Sequence, residues 1–225
     1  MKAYLIDKFI SSDRINVFHY CMFHGEQEAH SGVYKNNPSH NLGEDLSDLL
    51  CLSRNGRIIP DVFMPGTSFV VSNVVKEKLA GLPNAIFLDV VFKKLIDFYY
   101  KAGDFSYYDT PQFQQSPRRA DPEKLIKKLP DVPSLHKQIG AYYELVVAHL
   151  DDVVSKYNDA IQVDFNIVDL GDIKQVSMNI SKRILVEYAI LRTYHGVLLN
   201  EIAFEKVSSF MDWDYFSKVE IKIMD

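Results

Sequence analysis

Four side chains with metal-ligand chemistry fall at alternate positions in His24-Gly-Glu26-Gln-Glu28-Ala-His30. In an extended chain alternate side chains share a face, so two imidazoles and two carboxylates would converge there. The spacing is not HExxH, because Gly25 occupies the glutamate position. His24-Gly-Glu26 matches the His-x-Glu of zinc deaminases, but no Pro-Cys-x-x-Cys follows to supply two further ligands. The competing reading is a polar, solvated loop leaving a strand, since tertiary context supplies most of what a metal site needs. His19 and Cys21 alternate with Tyr20 and Met22, where a packed imidazole and an inert thiol are the default; a reactive Cys needs an electropositive surround. His40, His136, His149 and His195 are scattered, and triads assemble in space, so chain order alone neither makes nor excludes one. There is no G-x-S-x-G elbow, P-loop or GxGxxG fingerprint. No pair of carboxylates is singled out as acid and base. The expectation is a non-enzyme with no catalytic residue and no cofactor.

Two acidic-aromatic clusters suggest binding instead. Asp212-Trp213-Asp214-Tyr215-Phe216 contains the only Trp, and Asp104-Phe-Ser-Tyr-Tyr108-Asp109 is its counterpart earlier in the chain. Trp and Tyr flanked by carboxylates suit a hot spot facing a basic partner. Asp212, Trp213, Asp214, Asp104, Tyr108 and Asp109 are therefore the candidate partner-binding residues. Against this stands the plainer reading that the rings complete the core while the acids are solvated.

The elements that must position these residues are organised around Ser68–Phe92. Ser68-Phe-Val-Val is a strand-type run, and Ser72 stands where its hydroxyl can accept from the free N–H groups of a helix start. Val74, Val75, Leu79 and Leu82 follow at helical spacing, with Lys76, Glu77 and Lys78 on the other side. Gly81 and Pro83 stop the helix, and Ala85 to Phe92 is a return strand. The same phrase recurs without gaps from Val197. Asn200 falls on Ser72, Ile202 on Val74, Glu205-Lys206 on Glu77-Lys78, Val207 on Leu79 and Phe210 on Leu82. The fold class expected is α+β: two related strand–helix–strand units, mostly antiparallel strands elsewhere, and one longer helix.

That longer helix is expected over Ser134–Tyr157, where Ile139, Tyr142, Tyr143, Val146, Leu150, Val153, Val154 and Tyr157 recur at three- and four-residue steps. Strands are expected at Lys2–Ile10, Asn16–Phe23, Ile161–Leu170, Lys174–Ile180 and Ile184–Leu191, with a short helix from Asp121. Leu95–Tyr100 reads as strand in preference to helix. Residues 25–43 and 103–117 read as long exposed connections of the kind that face partners. The 225 residues suit one globular domain, or two intimately packed halves at 1–120 and 121–225.

Composition sets the outer bounds. Hydrophobic residues at 47% and charged ones at 24% describe a chain that buries a core. A net charge of −5 disfavours general nucleic-acid binding, which needs a basic footprint. No apolar run reaches membrane-spanning length, and the start, MKAYLIDKF, alternates like a strand and does not read as a signal peptide. Cys21 and Cys51 lie alone, as reduced thiols of a cytoplasmic protein do.

At its two units the chain resembles the immunity proteins of bacterial polymorphic-toxin and type VI competition systems, in particular the mixed α/β families numbered eleven and forty-three. The phrase that carries the likeness is Phe69-Val-Val-Ser72, Lys76-Glu-Lys-Leu79 and Ile86-Phe-Leu88, repeated more loosely over Tyr194–Ile223. The later copy departs in replacing Ser72 by Asn200 and in lacking Gly and Pro after its helix. The resemblance implies a cytosolic, non-enzymatic inhibitor that occludes the active site of one cognate toxin domain. A basic nuclease is the partner an acidic face would suit. The rival readings are a small enzyme seated on the His24–His30 loop and a plain scaffold protein.

Overall fold

The computed structural model describes residues 1–8, 21–23, 40–43, 46–47, 49–55, 59–65, 68–96, 129–157, 166–169, 174–177, 179–194, 196–213 and 215–224. Their strands are β1 (Ala3–Lys8), β2 (Cys21–Phe23), β3 (Leu50–Asn55), β4 (Val62–Phe63), β5 (Phe69–Ser72), β6 (Ala85–Ile96), β7 (Tyr142–Val147), β8 (Asn166–Asp169), β9 (Lys174–Ser177), β10 (Asn179–Ser181), β11 (Ile190–Thr193), β12 (Gly196–Asn200) and β13 (Phe216–Met224). The helices are α1 (Asn73–Leu79), α2 (Pro133–Gln138), α3 (Leu150–Lys156), α4 (Lys182–Glu187) and α5 (Glu201–Val207), with a 3-10 turn at Ser208–Phe210. One sheet has the order β10-β13-β1-β12-β11, a second β2-β3-β6-β7-β5-β4, and β8 pairs with β9. The fold is α+β with mostly antiparallel pairing.

The two large sheets are built to one plan. In each, a parallel pair (β3 with β6, β10 with β13) flanks a central strand that runs antiparallel to both strands of a strand–helix–strand unit. A constant spacing relates the copies: Val62 pairs with Val71 as Ile190 pairs with Leu199, and Ser72 lies opposite Tyr142 as Asn200 (128 further on, 72 to 200) lies opposite Ala3. The links between elements repeat too. Ser72 N donates to Asp61 O and Asn200 N to Ala189 O, while Asn73 N donates to Ala141 O and Glu201 N to Lys2 O. The central strands are exchanged: β7, from the second half of the chain, completes the sheet of the first, and β1 completes the sheet of the second. Neither half closes its own sheet.

Between the sheets Val71, Leu145 and Val147 meet Ile6, Val197 and Leu199 in a single core. Val75 and Leu79 of α1 and Ala203 and Val207 of α5 enter the same core. Each such Val or Leu contributes about 1.5–3 kcal/mol by leaving water. The two helices are tied directly where Lys206 Nζ donates to the Lys78 carbonyl at 2.9 Å. The outer face of the five-stranded sheet is covered by Leu150 and Val153 of α3 and Ile184 and Leu185 of α4. The outer face of the six-stranded sheet carries a smaller cluster of Leu50, Leu52, Phe63, Val70 and Tyr142.

Several expectations change. Ser134–Tyr157 is not one helix but α2, β7 and α3. A central strand is buried on both faces, and Tyr142, Leu145, Val146 and Val147 are all buried, so the three- and four-residue steps arise without a helix. With it goes the one longer helix, since α1, α3 and α5 have seven residues each. Ile184 lies in α4, not in a strand, because Ser181 Oγ accepts from Arg183 N and starts a helix there. Ser72 holds the N-cap position of α1, but its hydroxyl donates to Asp61 Oδ1 at 2.5 Å and makes no cap bond. Val74, placed in the apolar stripe of α1, is exposed, as is Ile202 at the matching position of α5. The repeat is not gapless either. Asp89 lies opposite Tyr143 where Glu220 lies opposite Tyr4, a spacing of 131 (89 to 220), so the turn after α5 carries three more residues than its counterpart. The helix expected from Asp121 lies outside the described residues. β6 does continue through Leu95 and Ile96.

Candidate functional site

The three extra residues fall in the turn that carries Trp213. α5 ends at Val207 and tightens into the 3-10 turn; Met211 then turns inward and is buried in the inter-sheet core. The Asp212 carbonyl accepts from Tyr215 N and Phe216 N at 3.0 and 2.8 Å, which closes the turn onto β13. The Tyr215 hydroxyl donates to the Met64 carbonyl at 3.3 Å, binding the turn to the first half of the chain. Between these contacts Trp213 is 42% exposed.

The ring sits in an aromatic row. Tyr4 stacks on Phe204 with centroids 4.1 Å apart, and Phe204 lies 6.0 Å from Trp213. Lys218 Nζ is 5.5 Å from the Trp213 centroid and 5.4 Å from that of Phe204, a cation shared between two ring faces. In the other copy the same place is taken by Lys76, whose Nζ lies 3.4 Å over Tyr143. Lys76 corresponds to Phe204 and Tyr143 to Tyr4 in the paired registers. One copy thus covers its tyrosine with an ammonium group, and the other stacks the tyrosine on Phe204 and extends the row to the partly exposed Trp213, with Lys218 over both of the latter rings. Asp212 is partly buried beside it, and Glu220 on β13 forms an ion pair with Lys2 at 3.1 Å.

A second constellation was not visible in the sequence. Glu144, 1% exposed, points from β7 to the outer side of the six-stranded sheet. Its Oε1 accepts from His40 N and Ser68 Oγ, both at 3.1 Å, and its Oε2 lies 2.7 Å from His40 Nδ1. Ser68 and His40 bind the carboxylate separately, so the histidine does not bridge serine to acid as a triad would require. Arg192 Nη1 donates to His40 O and to Asn41 Oδ1, both at 3.2 Å. A Glu inside the apolar run Tyr142–Val147 was the one available signal; His40 carries none.

His24, Glu26, Glu28, His30, Asp104, Tyr108, Asp109 and Asp214 lie outside the described residues. Among the described residues no group of three or more His, Cys, Asp or Glu is arranged to hold a metal ion. No described helix is long and apolar enough to cross a membrane. No protein-family model matches the chain, and no curated protein is significantly similar to it.

Proposed function

We propose that this protein is a binding protein that docks a partner on the Trp213 turn, and that the partner is a cognate antibacterial toxin domain whose active site it occludes. The single observation behind the docking surface is the asymmetry of an otherwise repeated plan: only the second copy lengthens its helix–strand turn, and the added length presents the one Trp of the chain. An aromatic ring packed against neighbours and still partly exposed is a typical anchor for a partner, because ordering it beforehand lowers the entropy lost when it is covered. The toxin identity rests on the family resemblance of the two units, and the net charge of −5 favours a basic partner such as a nuclease.

The test is protection of cells that express the toxin encoded beside this gene. Trp213→Ala is expected to abolish protection while the melting temperature stays within a few degrees of the parent. Asp212→Lys is expected to slow association and to reduce its dependence on salt. A stable Trp213→Ala protein that still protects, or the absence of any adjacent toxin gene, contradicts the proposal.

A further inference from the structure

We infer that Glu144 and Arg192 form a clamp that holds the strap His40–Leu42 across the seam between the two sheets, and that the fold itself does not require this clamp. The internal repeat supplies the control. By strand register Glu144 corresponds to Leu5: Glu144 lies opposite Val70 and Leu88, and Leu5 opposite Leu198 and Val219. Leu5 is buried among Ala3, Ile180, Leu198 and Ile221 with no polar group of its own. The same position in the same architecture is therefore satisfied by an apolar side chain. A buried carboxylate in its place costs desolvation and gains no fold that leucine does not provide.

What the carboxylate gains is the strap. Both of its oxygens are committed, Oε1 to His40 N and Ser68 Oγ and Oε2 to His40 Nδ1, so an ionised Glu144 requires the proton on Nδ1. From the five-stranded sheet, Arg192 takes the His40 carbonyl and the Asn41 side chain. Leu42 N then donates to Val147 O at 3.2 Å, and the Leu42 side chain packs on the outer core. Three consecutive residues are thus gripped by one carboxyl group on β7 and one guanidinium on β11. Arg192 is itself fixed by its backbone, which donates to Ala148 O at 2.9 Å.

The experiment introduces the apolar arrangement of the repeat on the full chain, with Glu144→Leu combined with Ser68→Ala so that the hydroxyl that donates to Glu144 is removed together with its acceptor. The expected result is a melting temperature no lower than the parent's, with amide exchange at Leu42 faster by about tenfold or more and exchange in β1 and β12 unchanged. Unchanged exchange at Leu42 in the folded double variant overturns the clamp. A melting temperature well below the parent's, or failure to fold, overturns the claim that the fold does without it. Arg192→Met keeps the backbone bond to Ala148 and removes both Nη1 contacts, to His40 O and Asn41 Oδ1, so it tests the clamp even then. Faster exchange at Leu42 is expected, and no change contradicts the proposal.

Discussion

Asn200 and Ser72 stand at the same point of the repeat with nearly the same backbone angles, φ −70° and −69°, yet they work differently. Asn200 Oδ1 accepts from Ala203 N at 2.9 Å, and Nδ2 donates to Leu185 O at 2.9 Å, so one buried side chain both caps α5 and ties down the end of α4. Ser72 binds only Asp61, which is exposed and open to water. Asn200→Ala should therefore cost about 2 kcal/mol in urea unfolding and Ser72→Ala about 1 kcal/mol or less. Equal losses would contradict the assignment. At Asp131, partial burial pushes the carboxyl up, but the Leu95 N–H, His136 and the Val132 N–H outweigh it and leave it below the usual carboxylate range. A depressed folded-state pKa adds stability above the unfolded value, and that stability is lost as pH falls through the folded value. Asp131→Asn is accordingly expected to narrow the gap between urea midpoints at pH 6 and pH 3; an unchanged gap would show that the Leu95 contact carries no pH dependence.

At the level of elements, β5, α1 and β6 were legible in the residues because local preference and final environment agree there: β-branched strand, charged outer face, Gly81 with φ +83° after the helix. β7 was not, because a strand buried on both faces has no polar and apolar alternation to mark it. The displacement of β13 was also hidden, since apolar residues fill the return strand at either alignment and only the pairing register distinguishes them. Nor could the sequence show that Trp213 stays outside while Met211 goes in, because both are large and apolar and lie two residues apart. Gly196 marks a close approach of β12 to β1. It has φ +152°, and a Cβ there would lie 2.0 Å from the Ile6 carbonyl oxygen on the exchanged strand β1. Backbone cannot yield as a side-chain tip does, so Gly196→Ala should cost roughly 3 kcal/mol or more. Near-parent stability would mean that β1 and β12 are not so closely apposed.

For the whole molecule, strand exchange makes each sheet depend on the other half of the chain. Ile6 of β1 shares the inter-sheet core with Leu145 of β7, so loss of either central strand is expected to weaken both sheets. Trp213 reports on the second copy alone and far-UV circular dichroism on the whole chain, and their urea transitions are expected to coincide. The repeat also supplies an internal control for function, since two related turns follow α1 and α5 and only the second carries the exposed aromatic surface. The most direct test is amide exchange of this protein with and without the toxin domain encoded by the adjacent gene. Protection is predicted in the turn after α5 and the start of β13, with none in the matching turn at 80–84. Protection confined to 80–84, or to surfaces remote from Trp213, would contradict it.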